Sequence, residues 1–202
     1  METCARIAGS GAMDSVETCR KAAAEVPRNV AVLRNLSTSL SSIGDFNGAV
    51  EVERRIVALL PDDARAHYDL AGTLGFVRRY GEAVGPIETA IRLRPGNIPS
   101  YQAAAIIYVR LGRISEAISV TQKAAELGDP ISMFDLAGYF ERGIGVDADP
   151  AQAFLWTRRA AESGHVYAMR LLASVYLEGG LGQPPDDAKA EDWARRARAA
   201  SR

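Results

Sequence analysis

Histidine, cysteine and lysine are nearly missing from this chain. Its 202 residues include two histidines, His67 and His165, two cysteines, Cys4 and Cys19, and three lysines. The histidines lie 98 residues apart, so a zinc site or a Ser/His pair would have to bring distant partners together. Positive charge is not in excess either: 24 Lys and Arg face 25 Asp and Glu, a net charge of −1. That balance excludes broad electrostatic attraction to nucleic acid or to an anionic membrane, which needs a basic surplus or a basic face. No apolar run approaches the roughly 18 residues of a spanning helix, and no charged n-region precedes an apolar h-region, so no membrane insertion and no signal peptide are read. Period-two alternation is almost absent, which argues against strands. No Gly-rich loop follows a strand pattern, so nucleotide binding has no support and no cofactor is expected.

What the chain does have is alanine-rich helical sequence with regular punctuation. PRN at 27–29, PDD at 61–63, PGN at 95–97 and GDP at 128–130 interrupt it, and Pro27, Pro61 and Pro95 stand 34 residues apart, with Asp129 in the next equivalent place. Leu70, Ala71 and Leu74 fall on one face of a first helix in this period, and Ala83, Ile87 and Ala90 on one face of a second. The same places hold Leu36, Ser37, Leu40 and Ala49 before, and Ala104, Ala105, Tyr108, Ala117 and Ala124 after. Small side chains suit close helix crossings, where a larger one overpacks the contact by about 1–3 kcal/mol. Gly44 with Asp45, and Gly112 with Arg113, mark the turns.

This pattern resembles the tetratricopeptide repeat, a helix-turn-helix unit of 34 residues. From residue 129 the spelling changes and the period lengthens: Leu136 pairs with Leu172, Phe140 with Tyr176, Gly143 with Gly179 and Trp156 with Trp193. GDPISMFDLAGYFERGIGVDADPAQAFLWTRRAAESG resembles the Sel1-like repeat, through Leu136, Phe140, Gly143, Gly145, Val146, Asp149, Ala153, Trp156, Ala160, Ala161, Glu162 and Gly164. In the second copy one extra residue enters the loop, and GLGQPPDD replaces the GVxxD element. The resemblance implies an all-α fold, a right-handed α-α superhelical solenoid of stacked antiparallel helix pairs. It is read as a partial N-terminal helical hairpin over 1–29, three tetratricopeptide repeats over 30–128 and two Sel1-like repeats over 129–202, continuous in one solenoid. Starting inside a repeat's first helix, the chain is expected to have lost an upstream segment.

Several residues invite a chemical reading. Asp147 and Asp149 sit in an acidic loop, but a calcium loop needs six or more oxygens, and no acidic residue follows at the required spacing. Asp149 before Pro150 is instead what a helix start requires, as are Pro185 and Asp186 later on. No metal is expected. His67 takes a place where the tetratricopeptide unit puts an aromatic side chain, and His165 opens a Sel1-like helix. Trp156 and Trp193 recur at one repeat position, which marks them as core, and the terminal ARRARAASR reads as a solvated helix end. Cys4 and Cys19 flank the expected turn AGSGAMD, where a disulfide is geometrically open; two separate buried thiols are the alternative. A disulfide would put the protein in the periplasm or outside the cell, and its absence in the cytoplasm.

An array of this kind presents a concave surface lined by its first helices. The resemblance implies a non-enzymatic scaffold or adaptor that holds a peptide or protein segment there. The groove positions map to Arg34, Asn35, Thr38 and Ser41, then Arg65, Tyr68, Asp69, Gly72 and Phe76, then Gln102, Ile106 and Arg110. A basic clamp for a chaperone's C-terminal carboxylate is not expected, because its positions read Arg34, Thr38, Asp69, Pro99 and Ala103, of which only Arg34 keeps the character. Gly85 and Pro86 fall inside a second helix, where proline removes a hydrogen bond and can kink the chain. Two other functions stand beside the scaffold: an interaction or assembly module of a larger enzyme or secretion-related system, and a secreted Sel1-like binder of a small β-lactam-like ligand. The last is weakened because residues 128–202 lack the cysteine pairs of such proteins. Homo-oligomers through the terminal helices are a further expectation.

Overall fold

A computed structural model describes residues 12–201, and the elements within them are eleven α-helices. The chain parts into two compact units at 103/104. The first contains α1 (Ala12–Glu25), α2 (Val30–Ser42), α3 (Phe46–Leu59), α4 (Ala64–Phe76) and α5 (Tyr80–Leu93), and it takes the first residues of α6 (Ile98–Arg110). The second contains the rest of α6, α7 (Ile114–Glu126), α8 (Pro130–Arg142), α9 (Pro150–Glu162), α10 (Val166–Glu178) and α11 (Asp187–Ala200). Within the first unit each helix from α1 to α5 packs on its chain neighbours; from α7 to α11 the second does the same. The all-α class implied by the repeats is the one found.

The residues after each punctuation mark start the helices. Asn29 accepts a hydrogen bond from the Val32 amide, Asp63 from Arg65, Asp129 from Ser132, and Asp149 from both Ala151 and Gln152. Each satisfies amides that an α-helix leaves without an internal partner. Asp149 is therefore occupied as a cap, which is the structural role its sequence context indicates. His165 does the same work through Nδ1, 3.2 Å from the Ala168 amide. His67 is buried, with Nε2 2.8 Å from the Pro61 carbonyl oxygen. One period later the Tyr101 hydroxyl donates to the carbonyl of Pro95 at 3.0 Å, so both side chains tie a first helix to the proline turn before it.

The buried alanines recur with the period. Ala49, Ala83, Ala117 and Ala153 have no exposed surface, nor do Ala90, Ala124 and Ala160. With Ala160, the side chains of Leu136, Trp156, Leu172 and Trp193 form a continuous apolar cluster in the second unit. Arg159 lies over the Trp156 ring at 4.8 Å and Arg196 over Trp193 at 4.7 Å, the same lid three residues on in each repeat. Helix α5 passes through Gly85 and Pro86 without a break. The turn before it holds Arg78 at φ 62°, where the flanking repeats use Gly44 and Gly112.

The two long loops of the second unit close alike despite their different lengths. The Asp149 amide donates to the Phe140 carbonyl at 2.9 Å, and the Asp186 amide to that of Tyr176 at 2.6 Å. The extra residue of the second loop is absorbed by a small bridge between Gly180 and Gln183. Gly145 lies at φ 72°, and a β-carbon there would stand 2.6 Å from Ile114 Cγ2. This glycine both turns the loop and lets it lie on α7. Gly145→Ala is accordingly expected to cost about 1–3 kcal/mol in urea unfolding, through backbone strain and overlap together; an unchanged midpoint would contradict the close approach.

Candidate functional site

Helices α2, α3 and α4 enclose a cleft of about 420 Å³ in the first unit. Helix α2 contributes Arg34, Ser37, Thr38 and Ser41, which recur at three- and four-residue spacing along one face. Helix α4 supplies Arg65, Tyr68, Asp69, Gly72 and Thr73 on the opposite side. Between them, Glu53 and Ile56 of α3 reach the cleft from a buried face. Gly72 and Ser37 are small, which keeps space open between the two walls.

The cleft is held by an ion-pair network. Arg34 spans two carboxylates, with Nη2 2.7 Å from Asp63 Oδ2 and Nη1 3.1 Å from Asp69 Oδ2. Arg65 reaches the same Asp69 oxygen at 3.4 Å from a more exposed position. With its guanidinium committed on both arms, Arg34 is poorly placed to grip an incoming carboxylate.

Glu53 is the unusual member. It is 7% exposed, and its Oε1 accepts hydrogen bonds from the Ser37 hydroxyl at 2.7 Å and the Thr73 hydroxyl at 3.1 Å. Its Oε2 is buried with no hydrogen-bond partner among the described residues. Burial pushes the Glu53 carboxyl above the usual carboxylate range, against the two hydroxyl bonds that favour its charged form; the charge of Asp69 pushes it further up.

Of the groove positions expected from sequence, the cleft gathers Arg34, Thr38, Ser41, Arg65, Tyr68, Asp69 and Gly72. Asn35 and Gln102 belong to the same unit but do not line it. Phe76 does not line it either: its ring packs on Phe46 with centroids 4.2 Å apart, although the residue stays 67% exposed. Ile106 and Arg110 belong to the second unit. Glu53, Thr73 and Ser37 also line the cleft; the sequence pattern points to Ser37 as a packing position and to neither of the others. The repeat carries a signal for the first two: Glu53 stands one period before Ile87 and two before Thr121, and Thr73 one period before Ile107. Cys19 is fully buried, its Sγ 3.6 Å from Ser39 Oγ; Cys4 lies outside the described residues. Among the described residues, no group of three His, Cys, Asp or Glu side chains converges as a metal site. No described helix is long and apolar enough to cross a membrane.

The second unit has a smaller recess of about 290 Å³ bordered by Phe134, Asp135, Tyr139 and Arg142. His165 stacks on Phe134 with centroids 4.7 Å apart. Burial lowers the His165 pKa and raises that of Asp135.

Comparison with known proteins resolves the second half first: the family model described as the Sel1 repeat matches residues 130–165 and 166–201. The chain carries two Sel1 repeats. Their boundaries fall at the helix starts capped by Asp129 and His165. The crystal structure of MamA superposes with a TM-score of 0.70 at 22% identity, over 83% of this chain and 98% of that one. A Sel1 repeat protein from Oxalobacter formigenes superposes with a TM-score of 0.61 at 24% identity, over 94% of this chain and 80% of that one. These likenesses show the fold, an all-helical repeat solenoid. An Arabidopsis thaliana protein named "Inactive TPR repeat-containing thioredoxin TTL3" is 30% identical over 94 residues, which are 46% of this chain and 14% of that protein. A repeat scaffold of this type is typical of protein–protein interaction.

The burial of Glu53 has a measurable consequence. Its folded-state pKa lies above the unfolded one, so the native state binds the proton more tightly, and this group's contribution to stability falls as pH rises through the window from the ordinary carboxylate value upward. Glu53→Gln removes that loss. In urea unfolding followed from about pH 4 to about pH 7, the stability difference should move steadily in the variant's favour; a pH-independent difference would contradict the burial.

Proposed function

We propose that this protein is a non-enzymatic interaction scaffold that docks a segment of a partner protein in the cleft between α2 and α4. The observation that carries this reading is the cleft itself, an opening of about 420 Å³ between two first helices of the repeat. Its walls are set in advance, because Asp63 and Asp69 fix Arg34, and Arg34 in turn fixes Asp69. Preorganised walls reduce the ordering cost of association. Tyr68 supplies the large, half-buried ring that dominates energies at such surfaces. Arg34, Thr38, Arg65, Tyr68 and Asp69 are the contacts assigned to the partner. Asn35, Phe76, Gln102, Ile106 and Arg110 are left outside this assignment.

A second reading is compatible with the first, in which the repeats serve as the interaction part of a larger assembly. What supports it is that the matched stretch spans only 14% of the thioredoxin-named relative.

Affinity capture from native extract, followed by mass spectrometry, tests the docking reading. Tyr68→Ala should weaken capture of a specifically retained protein by about thirtyfold while leaving helicity unchanged, and Phe76→Ala should leave capture intact. Equal recovery on the parent and on folded Tyr68→Ala would overturn the assignment of the cleft.

A further inference from the structure

Glu53 is foreign to its position. One period on, the same place on a second helix is Ile87, and two periods on it is Thr121. Its two hydroxyl partners are equally local, since Ser37 becomes Ala71 and then Ala105, while Thr73 becomes Ile107. A carboxylate and two hydroxyls thus occur together in one repeat, where its neighbours place apolar or uncharged side chains. Buried carboxylates are costly unless every oxygen is satisfied. Here Oε1 holds both hydroxyl bonds, at 2.7 and 3.1 Å, while Oε2 has no partner among the described residues and belongs to a residue that lines the cleft.

Charge identifies what is missing. Arg34 and Arg65 face the carboxylates of Asp63, Asp69 and Glu53. Both guanidiniums sit on the aspartates, which leaves Glu53 as the carboxylate with no cation. An anionic ligand would meet an uncompensated acid and an arginine already bonded on both arms. A neutral amide could bond Oε2 without balancing its charge. A long basic side chain does both, laying its stem along Ile56 and Ala66 of the cleft wall and bringing a charged donor to the floor.

We infer that the cleft selects partner segments carrying a lysine or arginine, whose ammonium or guanidinium head inserts between α2 and α4 and donates to Glu53 Oε2. This inference rests on the docking reading above and names the chemistry of what docks. Glu53 is then the residue that determines specificity, and Ser37 and Thr73 position it by holding Oε1.

The test is selection of a displayed random peptide library on the full chain, with parallel selections on Glu53→Gln and Tyr68→Ala. The amide keeps the shape of the side chain and an oxygen for the two hydroxyls, and helicity and unfolding midpoint report whether it folds. Peptides that bind the parent and fail on Tyr68→Ala should be enriched in Lys or Arg at one fixed position, and that enrichment should vanish on Glu53→Gln. A second arm needs no protein variant: replacing the enriched lysine by norleucine, or the arginine by citrulline, should weaken binding to the parent at least about tenfold. Cleft-dependent binders with no basic preference, or a preference that survives Glu53→Gln or the neutral replacements, would overturn the inference and leave the docking reading standing. An absence of any binder sensitive to Tyr68→Ala would overturn both.

Discussion

Paired helices in this protein approach each other at one recurring small residue, and the rest of the structure depends on that contact. Ala49, Ala83 and Ala153 stand at equivalent places on α3, α5 and α9, each without exposed surface, and Ala190 follows on α11. At such a crossing an extra methylene group has nowhere to go, because protein interiors are packed to near-crystalline density. The close contact lets short helices of thirteen or fourteen residues hold one another, although isolated helices of this length are marginal in water. It also frees the outer faces of the first helices from any packing duty, so α2 and α4 can carry arginine, aspartate, serine and threonine toward a cleft.

Glu53 works against this background. The second helix that supplies Ala49 and Ile56 to the core supplies a carboxylate from the same buried face. Its Oε1 is held by Ser37 and Thr73, and the residue lines the cleft. The arrangement joins a stability element to a recognition element: burial makes the charge expensive, and a partner that supplies the missing hydrogen bond recovers part of that cost. Asp69 links the two features, since it anchors Arg34 and also raises the pKa of Glu53.

Much of the fold was legible because the sequence repeats itself. Asp149 before Pro150 signalled a cap, and the cap is there. Trp156 and Trp193 signalled core by recurring, and both are buried. The two Sel1 repeats could be located from Gly143 and Trp156 and their partners one period later, Gly179 and Trp193. The cleft was only partly legible. Positions on α2 and α4 are what the resemblance to the tetratricopeptide repeat implies, and it brought Arg34, Thr38, Tyr68 and Asp69 into view. Phe76 was drawn in by its place on α4, but it sits at the helix end and packs on Phe46, a contact that periodicity within one helix cannot reveal. Glu53 was hidden for the opposite reason. It occupies a second helix, whose apolar face the repeat assigns to core, and only comparison of that one position across periods exposes the substitution of a carboxylate for Ile87 and Thr121.

The central claim is that partner protein enters the cleft between α2 and α4, and site-specific photocrosslinking tests it most directly. A photoreactive amino acid at Thr38, which lines the cleft, and one at Tyr167, exposed in the second unit, would be activated in native extract. The account predicts a discrete adduct from position 38 that is lost when Tyr68 is also replaced by alanine, and none from position 167. Adducts from position 167 with none from position 38 would contradict it.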